Sequence, residues 1–266
     1  NLGQGFPDED GPAALREVAA RALVDGPNQY PPSKGLAVLR QAISDHARHF
    51  YKLNYDPEDE LVVTSGGTEA LGACILAMAS PGEEFVLVEP TYDSYRPIAQ
   101  STGAAIRTVK LTPPDLQLTE QALRAAIGPH TRAVLINSPH NPAGRALTLE
   151  ELQTLARVVR ETDAVGICDE VYEHLTYDGR AHIPFATLPG MRERSLKIGS
   201  AGKIFSMTGW KGGWVTGPRA LVSVLAKAHQ FLTFTTPPAL QLGVAHGLTH
   251  AMDFPQDLTQ RRPTNR

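Results

Sequence analysis

What this sequence has little of narrows it first. Only two cysteines occur in 266 residues, Cys74 and Cys168, both inside apolar segments. A disulfide framework is therefore not expected, and the pattern fits a reducing, cytoplasmic compartment. Long hydrophobic runs are missing as well. The most apolar stretch, ALGACILAMA at residues 70 to 79, is far shorter than the roughly 20 residues that span a bilayer, so it reads as a buried helix. Charge of one sign is not in excess either: 25 Lys and Arg stand against 28 Asp and Glu, a formal net charge of −3 with no long cationic run. That leaves no basic field for nucleic acid. No internal repeat or low-complexity tract breaks the chain. It opens at Asn1, without methionine, in sequence that already reads as folded, so its true start is expected upstream.

What is present points to a globular α/β protein. Hydrophobic residues make up 42% and charged residues 20%, enough for one large domain or two small ones with sizeable cores. Leu36, Leu39, Ile43, Ala47 and Phe50 recur at helical spacing and predict an amphipathic helix over residues 35 to 52. Apolar runs at 61–64 (LVVT), 85–90 (FVLVEP), 104–111 (AAIRTVKL), 132–137 (RAVLIN) and 164–170 (AVGICDE) predict strands with helices between them. A helix over 148 to 161 opens with Thr148 and Glu151 in capping-box spacing and offers Leu149, Leu152, Leu155 and Val159 to a core. Because the strands are continuous apolar runs, they predict a three-layer α/β/α fold around a mainly parallel sheet. Ligands of such sheets gather at the carboxyl ends of the strands.

Four segments could carry chemistry. In Ser65, Gly66, Gly67 and Thr68 a strand passes through two glycines into a helix, which makes either an anion site at the first N–H groups or a plain glycine turn. In AVGICDEVY, Asp169 and Glu170 end an apolar strand, with Tyr172 close behind. These carboxylates fit a ligand-binding edge, a helix cap or the magnesium strand of an ATPase. NSPHNPAGR, residues 137 to 145, sets Asn137 and Asn141 at the same edge, as turn residues or as donors to a ligand oxygen. SAGKIFSMTGWKGGW, residues 200 to 214, holds Lys203 and Lys211 among small residues. A phosphate loop ending at Gly202 and Lys203 would need glycine at 197 and a hydroxyl at 204, where Lys197 and Ile204 stand. A hydrolase elbow at Ser200 fails on Ile198. His46 with His49, and His246 with His250, have ligand-like spacing but lack the accompanying Glu or Cys, so no metal is expected.

SGGTEAL, EPTYDSY, NSPHNPAG, CDEVYEH and SAGKIFSMTGWKGGW, joined by NLGQGFPDED and NQYPPSKG, follow one another in a familiar order and spacing. The chain resembles the class I/II aminotransferases of pyridoxal phosphate (PLP) fold type I, nearest to their kynurenine and methionine aminotransferase branch, over almost its whole length. The resemblance implies that Lys203 is the lysine that forms a Schiff base with the aldehyde of pyridoxal 5′-phosphate and then shuttles the substrate's α-proton. It implies that Lys211 is the cationic phosphate ligand, a point charge where many relatives carry arginine. Ser200 and the N–H groups of Gly67 and Thr68 complete the phosphate cup.

By the same likeness Asp169 pairs with the pyridine nitrogen, Tyr172 and Asn141 donate to the ring's phenolic oxygen, and Tyr92 stacks on the ring. Asn137 and Gly5 lie on the substrate side, and Tyr30 reaches a neighbouring subunit's phosphate. Phe231, Phe234 and Thr235 fall where relatives line a partner's pocket, which implies a homodimer. Ala143 stands where many relatives have threonine. Three parts are expected: residues 1–30 contributing to the substrate site, 31–250 as the PLP-binding large domain, and 251–266 as an unmatched polar tail. The small C-terminal domain that the resemblance implies, with its carboxylate-binding arginine, is expected to be missing from this sequence, and Arg261, Arg262 and Arg266 are not assigned that role. The implied activity is transfer of an amino group from a methionine, aromatic, glutamine or kynurenine type α-amino acid to a 2-oxo acid, by a ping-pong route. A carbon-sulfur lyase of the same fold and a truncated, noncatalytic PLP-binding chain are the alternatives.

Overall fold

The structure, a computed structural model, describes residues 5–26, 28–111 and 113–261. After α1 (Ala13–Asp25) and α2 (Ala37–Tyr51), the chain alternates through β1 (Leu61–Ser65), α3 (Gly66–Met78), β2 (Glu84–Glu89), α4 (Tyr95–Ser101), β3 (Ala105–Lys110) and α5 (Glu120–Ala126). It continues through β4 (Thr131–Asn137), α6 (Leu149–Arg160), β5 (Val165–Asp169), β6 (Ser195–Ser200), α7 (Ala201–Ile204) and β7 (Gly212–Thr216). Three helices follow, α8 (Arg219–Leu232), α9 (Pro238–His250) and α10 (Phe254–Arg261).

The seven strands form one sheet in the order β1-β7-β6-β5-β4-β2-β3. Pairs from β3 through β2, β4 and β5 to β6 are parallel, and β7 runs antiparallel to both β6 and β1. The sheet is thus mainly parallel, as expected. β7 reverses because only the short segment 201–211 joins it to β6, where a parallel return would need a full crossover. β6 and β7 were not among the predicted strands, since SLKIGS and GGWVT carry a lysine and several glycines in place of a continuous apolar run.

Alternation along the strands sorts two buried faces. Val62, Phe85, Leu87, Leu135, Ile167, Ile198 and Val215 pack with α3 and α8. On the other face Val86, Val134, Ile136 and Cys168 pack with α5 and α6, while Leu61, Val63 and Trp214 pack with α1, α2 and α9. Cys74 and Cys168 are both free and lie in different clusters, so they form no disulfide. Trp214 fits under β6 only because position 199 is glycine: a Cβ there would stand 2.4 Å from the indole. Among the described residues no helix is long and apolar enough to cross a membrane.

α6 shows how one side chain fixes a loop near the strand ends. The predicted capping box is present, Thr148 accepting from the Glu151 N–H and Glu151 from the Thr148 N–H. Leu152, Leu155 and Val159 are buried, but Leu149 is 47% exposed, because the first helical residue points away from the sheet. Glu151 does more than cap. It accepts from the Leu118 N–H at 2.8 Å and takes a two-pronged bond from Arg145 at 2.9 and 2.5 Å, tying down the NSPHNPAGR loop. Burial pushes its carboxyl up, but the bonds from Arg145, Leu118 and Thr148 outweigh this and hold it below the usual glutamate range. Its stabilising contribution is therefore complete above the ordinary carboxyl pKa and is lost as pH falls through the depressed value. Glu151→Gln should lower the unfolding free energy by about 3 kcal/mol at neutral pH, measured by urea denaturation, and the gap should close in acid.

Candidate functional site

The carboxyl ends of β4, β5 and β6 and the start of α3 surround a cavity of about 920 Å³. Gly5, Gly67, Thr68, Tyr92, Asn137, Asn141, Asp169, Tyr172, Ser200, Lys203 and Lys211 all line it. Eleven residues singled out from sequence, scattered from position 5 to 211, thus reach one space. Tyr30 does not line it. It is 83% exposed, with its ring edge-on to Phe234 at 5.4 Å.

At one end of the cavity α3 begins. Its N-cap residue, Ser65, offers no side-chain cap, so the first N–H groups are left to face the cavity. Lys211 lies against this turn: a Cβ on Gly66 would stand 3.5 Å from its Cα and Cε. The positive end of the helix dipole and the Lys211 side chain thus border the same end of the cavity, a setting that favours an anion. Close approach of two backbones makes this possible. A Cβ on Gly213 would lie 2.5 Å from the Gly66 carbonyl carbon, so β7 meets the α3 turn only with glycine there. The glycine-rich segment therefore serves backbone packing as well as the cavity itself.

Deeper in, Asp169 is 4% exposed at the end of β5. Tyr95 donates to its Oδ2 at 2.5 Å and the Val171 N–H to its Oδ1 at 3.3 Å. Among the described residues it has no ion pair, and burial pushes its carboxyl up to about 6 against those two bonds. Lys203 sits across the space, its Nζ 5.5 Å from the Tyr172 ring centre. Burial lowers its pKa, Asp169 opposes this, and Lys211 lowers it further. The result is an amine with an enlarged neutral fraction at neutral pH. Tyr172 holds its proton more tightly than a free phenol, because of burial and then Asp169 and Tyr92, although a hydrogen bond with Asn141 acts the other way.

Asn137 touches the cavity, but its amide is engaged. Nδ2 donates to the Asp169 carbonyl at 2.8 Å, and Oδ1 accepts from the Asn141 N–H at 2.6 Å. It braces two loops that carry site residues. Tyr95 was missed from sequence, since a tyrosine in EPTYDSY gives no sign of contacting a carboxylate 74 positions away. Thr91, Asp93 and Thr208 also line the cavity and were not anticipated.

Behind the site lies a buried polar layer. Lys197 donates to Glu173 at 2.9 Å, His182 meets Glu170 at 2.8 Å, and the Nε2 atoms of His46 and His174 are 2.7 Å apart. Among the described residues His46, Glu173 and His174 are the group with ligand atoms close enough for a metal, all within 4.8 Å. The Lys197 ammonium bonds one oxygen of that carboxylate, and the two imidazoles bond each other. His46 therefore pairs with His174, not with His49 as the helical spacing had offered.

Comparison with known proteins agrees with this geometry. The profile of the family "Aminotransferase class I and II" matches residues 1–264. A probable N-succinyldiaminopimelate aminotransferase, DapC, of Mycobacterium tuberculosis is 46% identical over 250 residues, 93% of this chain and 63% of that protein. Methionine aminotransferase of Escherichia coli is 35% identical, over 98% of this chain and 69% of its own length. The solved structure of N-succinyldiaminopimelate aminotransferase from Mycobacterium tuberculosis superimposes with a TM-score of 0.97 at 44% identity, over 99% of this chain and 69% of that one. The chain thus spans a little under two thirds of the DapC relative that it matches. A profile match along almost the entire sequence, on a fold that brings the family's scattered motifs to one cavity, has one meaning: the chain belongs to the class I and II aminotransferases.

Proposed function

We propose that this chain holds pyridoxal 5′-phosphate and takes part in moving the amino group of an α-amino acid to a 2-oxo acid. The observation that carries the reading is the pairing of Lys203 and Asp169 across one cavity whose end is the α3 N-terminus and Lys211. The residues fit the cofactor. Asp169 is a buried carboxylate without an ion pair among the described residues, which a protonated ring nitrogen would supply. The α3 turn and Lys211 suit a phosphate, with Ser200 beside them.

When bound, pyridoxal phosphate supplies a carbonyl that takes up the amino group and a ring that accepts electrons from the substrate's α-carbon. Lys203 Nζ, enriched in its neutral form, would take the α-proton and return it at the cofactor's C4′ carbon. Asp169 would keep the ring nitrogen protonated, with Tyr95 orienting its carboxylate. Tyr172 and Asn141 would donate to the phenolic oxygen, and Tyr92 would stack on the ring. Gly5 lines the cavity, and on this reading the segment 1–30 would contribute to the substrate site while 31–250 would hold the cofactor.

Relatives named for methionine and kynurenine, and a solved structure named as an aromatic aminotransferase, support donors of those three types, while the relative named for N-succinyldiaminopimelate lies outside the donors expected from sequence. A homodimer is part of the same reading. Tyr30 at 83% exposure, Phe231 at 87% and Phe234 at 39% leave an aromatic surface near the loop that would reach a second copy. The two buried, unpaired cysteines support a cytoplasmic location.

The test is the visible spectrum of the protein with pyridoxal phosphate, before and after adding methionine. A band that is absent from Lys203→Ala and is converted by methionine supports the reading. No band in the unmodified protein would sink it, and release of pyruvate with ammonia from a cysteine S-conjugate, whose sulfur leaves from Cβ, would favour the carbon-sulfur lyase. A second outcome separates stability from function. Asp169→Asn keeps the shape and removes a buried charge, so the cofactor-free protein should gain about 1–3 kcal/mol at neutral pH, read as a higher Tm, while turnover nearly vanishes.

A further inference from the structure

Glu69 and His229 do not line the cavity, yet they sit directly behind its anion-binding end. Glu69 lies in the first turn of α3, and its Oε2 accepts the Ser65 N–H at 3.0 Å, fixing the turn that presents Gly66, Gly67 and Thr68. Its Oε1 is 3.0 Å from Nδ1 of His229 on α8, and His229 Nε2 is 2.8 Å from the Ser33 carbonyl. A carboxylate and a carbonyl only accept, so both ring nitrogens donate and the ring is an imidazolium. The Ser33 loop is held from other sides too, by Leu36 N–H to Gln241 at 2.7 Å and Thr235 to the Pro32 carbonyl at 3.4 Å, and it carries Tyr30.

This arrangement has an electrostatic consequence. A carboxylate in the first turn of α3 stabilises the helix but repels any anion bound at the same end. His229, 0% exposed, cancels that charge from behind. We propose that His229 is a positioning residue of the phosphate site: as a protonated strut between Glu69 and Ser33 it neutralises the carboxylate beneath the bound anion and locks the α3 turn to the loop that carries Tyr30. The proposal rests on the reading of this end of the cavity as a phosphate site.

Burial lowers the His229 pKa, but the hydrogen bond and charge of Glu69, with the carbonyls of Ser33 and Phe234, raise it overall. Glu69 is the charged group that faces it from α3. From the loop, Lys34 turns away, to the Glu58 carbonyl at 2.8 Å and Asp59 at 3.7 Å. A raised value means that the strut is complete below the ordinary histidine pKa of about 6.5 and is lost as pH rises through the folded-state value.

The test is a binding titration with pyridoxine 5′-phosphate, which carries the phosphate but no aldehyde, so the Lys203 amine does not enter. It is run from neutral to alkaline pH on the unmodified chain, Glu69→Gln, His229→Gln and the double variant, each checked for folding by circular dichroism. His229→Gln, which leaves Glu69 uncompensated, should bind roughly tenfold more weakly at neutral pH. Adding Glu69→Gln should restore most of that loss, whereas a purely structural role predicts that the two losses add. The unmodified chain should also lose affinity toward alkaline pH more steeply than Glu69→Gln does. Unmodified binding with unchanged affinity in His229→Gln, coinciding pH profiles, or no rescue in the double variant overturns the strut alone. Absence of binding by the unmodified chain at every pH overturns the phosphate site and the strut with it.

Discussion

A buried carboxylate with no ion pair among the described residues is the constraint on which the site depends. Asp169 ends β5 in the middle of the sheet, 4% exposed, and burial raises its proton affinity against the bonds it accepts and the charge of Lys203. The surrounding structure holds it there. Tyr95 on α4 bonds one oxygen, the Val171 N–H the other, and Asn137 takes the backbone carbonyl. A free-standing chain would relax such a group into water, but four parallel strand pairings and two apolar faces prevent it. The fold maintains this cost, and on the proposed reading a cationic ring nitrogen would offset it.

The opposite end of the cavity follows a different rule. There the backbone supplies the charge, through the unsatisfied N–H groups of α3, and the side chains modulate it. Lys211 adds a cation in front, while Glu69 and His229 form a neutral pair behind. Gly66 and Gly213 let β7 and α3 approach closely enough for both to act at one point. Lys203 stands between the two ends, and its lowered proton affinity reflects burial with Lys211 on one side, moderated by Asp169 on the other.

Much of this was legible beforehand for identifiable reasons. β1, β2, β4 and β5 are short apolar runs between turn residues, and α2 and α6 repeat their buried residues at helical spacing. Asp169, Asn141, Lys203 and Lys211 sit in motifs that resemble those of the family whose profile the chain matches. β6 and β7 escaped because a buried Lys197 and paired glycines look like loop sequence. Leu149 looked like a core residue because periodicity gives no phase at the first helical position.

The sequence by itself determined most of the element types, the mainly parallel sheet and eleven of the residues that gather at its carboxyl edge. Those features depend on local apolar pattern and chain direction, which a linear order contains. Only the tertiary structure decided which polar groups meet. Tyr95 finds Asp169 across 74 positions, His46 finds His174 across 128 and His229 finds Glu69 across 160. Such pairs leave no periodic trace, because their partners are chosen by how helices dock on the sheet. Burial, which sets their charge states, exists only once that docking has taken place.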